Sequence, residues 1–153
     1  MGFDQLADAI VAQINGNTFS PAFVLQRADA PLFSMPELSQ LVVTLIPQEI
    51  TQETSTRGHD KIIYTVEIGF QRKAPPRPQS GEDPILRMTK EIRQLQQDVL
   101  NWLSHRSRRR PPNYANAMLM KLSMSPPFVA DMLRDHRHYL GVLRLTYEET
   151  VRV

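Results

Sequence analysis

Tyr139-Leu-Gly-Val-Leu-Arg-Leu-Thr-Tyr147 is the stretch on which the fold turns. Tyr139, Leu143, Leu145 and Tyr147 fall at alternate positions and line one face, the pattern of a strand with one side on a core. Just before it, Met118, Met120, Leu122 and Met124 alternate with Leu119, Lys121 and Ser123, which predicts another strand, cut off by Pro126-Pro127. Phe128 to Asp135 has room for one or two helical turns.

Further back, Ile85, Met88, Ile92, Leu95, Val99 and Trp102 recur at spacings of three and four. That spacing gathers them on one side of a helix about five turns long. Asp83 is placed to cap its N-terminus, with Pro84 at the first helical position. The run is too short, and lacks a mate, for a coiled coil, so a helix lying on a sheet is the expectation. Ahead of it, Ala74-Pro-Pro-Arg-Pro-Gln-Ser-Gly-Glu-Asp83 is a hinge whose prolines cannot join a β-ladder. It divides no domains, because neither half carries a core of its own; residues 1–153 read as a single domain with 74–83 as an internal hinge.

In the N-terminal half, Phe3, Leu6, Ala9, Ile10 and Ile14 form an apolar helical stripe, and Asn15-Gly16-Asn17 supplies the stop. Ala22 to Ala28 reads as a short strand before Asp29-Ala30-Pro31, and Pro36 starts a helical turn. Leu41-Val-Val-Thr-Leu-Ile46 is a strand ending at Pro47. From Lys61 to Lys73, Ile62, Tyr64, Val66, Ile68 and Phe70 share one face; Lys61, Thr65, Glu67 and Gln71 share the other, with Ile63 the exception. With the polar stretch Ile50 to Thr56 before it, this predicts a long β-hairpin turning near Gly58, apolar at its base and polar toward its tip. The sum is α+β: an antiparallel or mixed sheet of about five strands with two main helices packed on it and a long β-hairpin arm.

Composition narrows the function classes. The chain has 153 residues, 41% hydrophobic and 22% charged, with a net charge of +2, close to globular norms. So small a charge does not imply bulk nucleic-acid affinity, although a local patch can act. The absence of cysteine removes disulfides, thiolate nucleophiles and Cys-ligated zinc. Met-Gly-Phe-Asp-Gln-Leu at the start lacks the features of a secretion signal, and Leu6 stands where a myristoylation motif wants Ser or Thr. No window approaches 18 consecutive apolar residues, so no membrane partner is expected.

Candidates for chemistry are weak. His136 and His138 flank Arg137, with Asp131 and Asp135 upstream, but Arg134 and Arg137 oppose a bound cation; solvated histidines at a strand entry are the expectation, and no metal or other cofactor. Glu49 with Glu53, or Glu148 with Glu149, read as charged residues on exposed strand ends and not as catalytic pairs. No hydrolase, kinase or dinucleotide signature occurs, so no catalytic residue is nominated. Arg106, Arg108, Arg109 and Arg110 put four guanidiniums into five residues. Such a run can contact phosphates, yet cations also suit a helix C-terminus.

Taken in order, these elements resemble the tail-terminator (tail-completion) family of long-tailed bacteriophages. The resemblance covers nearly the whole chain. It begins with the helix Leu6 to Ile14 and continues through Pro36-Glu-Leu-Ser-Gln-Leu-Val-Val-Thr-Leu-Ile-Pro47. Thr56-Arg57 follows, then Tyr64-Thr-Val-Glu-Ile68, the long helix, and the closing Leu145-Thr146-Tyr147. Relatives often carry Ser-Arg where Thr56-Arg57 stands; the Pro-rich hinge and the Arg run also depart from the pattern. The resemblance implies a structural virion protein, assembled in the host cytoplasm, that forms a hexameric ring. The ring caps the tail tube, ends tail growth and meets the head-closure protein of the neck, with genomic DNA passing through its channel. No catalysis is implied. Thr56, Arg57, Gly58 and His59 become candidates for contact with a neighbouring subunit or the tube, and Arg106, Arg108, Arg109 and Arg110 for DNA or an interface. Pro75 to Gly81 is a second segment to order on assembly.

Three alternatives stand beside this one. A head-completion or neck adaptor protein shares the layout, a small basic nucleic-acid-binding factor would act through Arg106 to Arg110, and an enzyme without a recognised motif would depend on a carboxylate or histidine.

Overall fold

The structure is a computed structural model that describes residues 2–28, 40–124 and 137–152. Helix α1 spans Gly2–Asn15, followed by strands β1 (Leu25–Arg27), β2 (Val42–Thr56) and β3 (His59–Lys73). Helix α2 covers Pro84–Ser104; two 3-10 turns, Arg106–Arg108 and Pro112–Tyr114, lead to β4 (Ala117–Met124) and β5 (His138–Arg152). The five strands form a mixed sheet in the order β1-β2-β3-β5-β4, with only β1 and β2 parallel. This is the α+β arrangement expected. The readings at Pro36, Pro126-Pro127 and Phe128–Asp135 lie outside the described residues.

Strand β5 is an interior strand, between β3 and the edge strand β4. It pairs with β3 from Lys73↔His138 to His59↔Arg152 and with β4 on its other side. Tyr139, Leu143, Leu145 and Tyr147 are each fully buried, in one cluster with Tyr64, Val66, Ile68 and Phe70 of β3. Both helices cover this same side. Phe3 of α1 packs on Tyr64 with ring centroids 5.4 Å apart, and Tyr139 donates its hydroxyl to Gln96 of α2. Each large apolar side chain removed from water here contributes roughly 1.5–3 kcal/mol.

Helix α2 begins as its sequence predicts: the Asp83 side chain accepts from Ile85 N–H at 3.1 Å, with Pro84 in the first turn. Its buried stripe is Met88, Thr89, Ile92, Leu95, Gln96, Val99 and Leu103. Trp102, expected in the core, is half-buried at the rim and packs edge-on against Phe19 at 5.6 Å. Helix α1 ends at Asn15, whose amide both donates to Leu25 C=O (3.0 Å) and accepts from Leu25 N–H (2.8 Å), tying helix to strand.

Two strand readings need correction. β2 does not end at Pro47 but runs through it to Thr56, with a register shift between Pro47 and Glu49. Gln48 is the extra residue of a bulge there, beside the proline that has no N–H to give. In β4 a second shift, between Leu119 and Lys121, breaks the alternation. Ala117 and Leu119 are buried while Met120 is 48% exposed, and Leu122 and Met124 pack against the core beyond the shift. One inserted residue reverses the face of all that follow.

Candidate functional site

The hairpin is the most exposed part of the sheet. Thr56, Arg57, Gly58 and His59 sit together at its tip, all exposed. Gly58 has φ 85°, a left-handed conformation that a side chain would resist. From Gln48 to Thr56 every residue of β2 is exposed, including Ile50 at 50%. β1 pairs only with Val43, Thr44 and Leu45 at the base, so among the described residues no strand lies against the outer half of β2. The arm is not a free two-stranded finger, because β5 backs β3 as far as the pair His59↔Arg152.

The arginine run is largely tied down. Arg108 donates to Trp102 C=O at 3.2 Å and lies 4.7 Å over the Trp102 ring. Arg109 donates to Ser104 C=O at 3.3 Å and Arg110 to Ala115 C=O at 2.8 Å. The backbone carbonyl of Arg109 accepts from Leu119 N–H at 2.7 Å, fastening the loop along β4. These guanidiniums cap the carbonyl end of α2 and brace residues 105–116, where the helix dipole welcomes positive charge. Arg106, Arg109 and Arg110 keep exposed surface, so their outer faces remain open to a partner.

Glu149 was read as an exposed strand-end charge; it is 7% exposed. One of its carboxylate oxygens accepts from both Tyr64 and Tyr114 hydroxyls, each at 2.7 Å. Burial first, and then the bond to Glu149, pushes both phenols above their ordinary range. Both hydroxyls lie 2.7 Å from where a side chain on Gly2 would begin, so the first turn of α1 rests on this cluster. Glu148, the adjacent residue, pairs with Lys61 at 3.7 Å on the opposite side of the sheet. The two glutamates therefore project to opposite sides of the sheet. Parity carried the signal: Glu149 is in phase with Tyr139, Leu143, Leu145 and Tyr147.

Arg137 also has a defined place. Its guanidinium bonds both oxygens of Asp83 and the carbonyl of Pro75, while its own carbonyl accepts from Ala74 N–H at 2.7 Å. Both ends of the Pro-rich hinge are thus pinned to the start of β5, leaving residues 75–82 exposed between them. Of the histidine pair considered for metal, His138 is buried at 7% exposure and not solvated; His136, Asp131 and Asp135 lie outside the described residues. Among the described residues no group of three His, Cys, Asp or Glu is placed to hold a metal ion, and no helix is long and apolar enough to cross a membrane.

Among the described residues, clefts open on the surface at two places of note. One, of about 470 Å³, lies between α1 and the 3-10 turns and is bounded by Gln13, Asn17, Trp102, Arg108 and Asn113. The other, of about 580 Å³, runs beside β4 and is bounded by Arg110, Met118, Met120, Glu148, Glu149 and Arg152. Compared with protein-family models and with curated proteins, the chain matches none.

Proposed function

We propose that this protein is a structural ring subunit of a bacteriophage neck or tail end, resembling the tail terminators. Its ring, a hexamer in that family, caps the tail tube, ends tail growth and joins the tail to the head-closure protein, with DNA passing through the channel. Its place is then the virion, after assembly in the host cytoplasm.

One observation carries this reading. Nine consecutive residues of β2, Gln48–Thr56, are held along β3 by a ladder that is regular from Glu49 to Thr54, yet bury nothing in the core. Holding an exposed strand in order costs conformational entropy that its own contacts do not recover, so a docking role accounts for its presence. The hairpin tip at Thr56–His59 and the outer faces of Arg106, Arg109 and Arg110 are further surfaces for a neighbour, the tube or DNA.

Negative-stain images of the purified protein, alone and mixed with tail tubes, provide the test. Rings, or tubes capped at one end, are expected. A protein that stays monomeric at every concentration and leaves tubes bare would overturn the proposal.

A further inference from the structure

Among the described residues two stretches of sheet edge have no strand beside them and match each other: the outer half of β2, and β4 beyond Leu119, whose own N–H is taken by the Arg109 carbonyl. One row of the register runs Glu49, Thr65, Thr146, Lys121, and the next runs Ile50, Tyr64, Tyr147, Leu119. Directly paired residues project to the same side of a sheet. Glu49 and Lys121, both exposed, therefore stand on one side at opposite ends of a single row. Ile50 ends the second row on β2; at the other end, Met120 follows Leu119 at the β4 bulge. Ile50 and Met120 are 50% and 48% exposed, and the other exposed large apolar residues of the described chain, Val24 and Leu86, lie on neither of these edges.

Charge is divided in the same way. The outer half of β2, Gln48–Thr56, holds Glu49 and Glu53 and no basic residue. The β4 edge holds Lys121 beside the loop of Arg106, Arg109 and Arg110, which the Arg109–Leu119 hydrogen bond fastens to it. Direction fits as well. β2 and β5 are both antiparallel to β3, so β4, antiparallel to β5, runs opposite to β2. A second copy moved sideways along the sheet would present β2 to β4 in the antiparallel sense at the same height.

We infer that the outer edge of β2 docks on the β4 edge of a second copy, with Glu49 facing Lys121 and Ile50 facing Met120 and the cleft beside it. Bulges at Pro47/Glu49 and Thr54/Thr56 limit regular pairing to the short stretch between them, which discourages indiscriminate strand addition. The contact is head-to-tail: each copy spends one edge of each kind and keeps one of each, so association proceeds until the series of copies closes. This deepens the ring reading and rests on it for closure alone.

Sedimentation of the full-length chain tests the pairing. Glu49→Lys and Lys121→Glu should each raise the concentration needed for association roughly tenfold or more, because like charges then oppose across the contact. The double variant Glu49→Lys/Lys121→Glu should recover most of that loss. The chain has no cysteine, so Glu49→Cys/Lys121→Cys supplies an independent readout. Within one copy three strand spacings, about 14 Å, separate the edges, beyond the roughly 7 Å a disulfide tolerates. Mild oxidation should therefore give a ladder of covalent multimers, while Glu49→Cys alone stops at dimers. If wild type associates but the single charge variants do so equally well and no ladder forms, this interface is wrong while the ring reading stands. If the ladder and charge rescue appear but tail tubes are never capped, the interface is right and the capping role is wrong. Wild type that never associates overturns both.

Discussion

Arg137 and Asp83, 54 residues apart in sequence, meet through a two-pronged ion pair, with guanidinium nitrogens 2.9 and 2.7 Å from the two carboxylate oxygens. Asp83 also caps α2, so one side chain joins the helix start, the hinge and the entry to β5. Arg137 holds φ 54°, an uncommon conformation for a residue with a side chain, and the bonds on both its backbone and its guanidinium keep it there.

The Arg137 pairing, followed by the Ile85 N–H bond, holds the Asp83 carboxyl well below the usual carboxylate range. A depressed folded value means that the charge contributes fully above about pH 4, the ordinary value, and that the contribution is lost as pH falls through the folded value. Asp83→Asn keeps a capping oxygen and removes the charge. Urea midpoints should place the variant below wild type at pH 7, with the gap closing as the pH is lowered from about 4. A gap of constant size down to pH 2 would show that the charge contributes nothing.

The four tyrosines of the chain, Tyr64, Tyr114, Tyr139 and Tyr147, are all shifted upward. Burial is the first cause in each case, and it takes Tyr139 to about 12. A phenol whose folded value is raised stabilises the fold fully below about pH 10, and that contribution is lost as pH rises further. Absorbance at the tyrosinate band should stay flat through pH 10 and then rise together with loss of the circular dichroism signal. A separate early tyrosinate step in the intact fold would contradict the placement of at least one ring.

Gly141 faces Gln96, and a β-carbon at this position would overlap the Gln96 side-chain amide. Both residues are buried. Gly141→Ala should therefore destabilise by about 1–3 kcal/mol, the usual cost of overpacking. Chemical denaturation reads the loss, and adding Gln96→Ala should make the second change less costly than it is alone. Strict additivity would argue against the contact.

Arg108 and Arg106 should behave differently despite their nearness. Arg108 lies over Trp102 and bonds its carbonyl; Arg108→Ala should cost about 1 kcal/mol. It should also shift the emission of Trp102, the only tryptophan. Arg106→Ala should stay within about 0.5 kcal/mol, as surface substitutions do. Equal effects would return the run to an undifferentiated solvated cluster.

Periodicity made most of the fold legible. Alternation found the buried faces of β3 and β5, spacing by three and four found α1 and α2, and Gly58 marked the turn. The failures have physical causes. Bulges at Gln48 and Met120 leave no mark in a period-two pattern, so the joining of the 41–46 strand to the expected hairpin arm at Ile50–Thr56 and the switched face of β4 were missed. Leu103 replaces Trp102 in the core because the larger ring lies over the rim with Phe19 and Arg108. The arginine run was conspicuous as charge, but its carbonyl partners were not, since carbonyls belong to every residue. Arg137, considered only as a deterrent to metal, finds Asp83 across a separation that no local motif encodes. Glu149 alone was readable, by parity, and its chemical type pulled the reading the other way.

The position of β5 between β3 and β4 has a consequence for synthesis. β3 and β4 have no direct ladder between them, so a nascent chain that has exposed everything up to Met124 holds a hairpin and a lone strand with no strand to join them. Only when His138–Arg152 clears the ribosome can that gap be filled. Whatever the two outer edges bind, a prematurely released polypeptide cannot offer both of them on one rigid body.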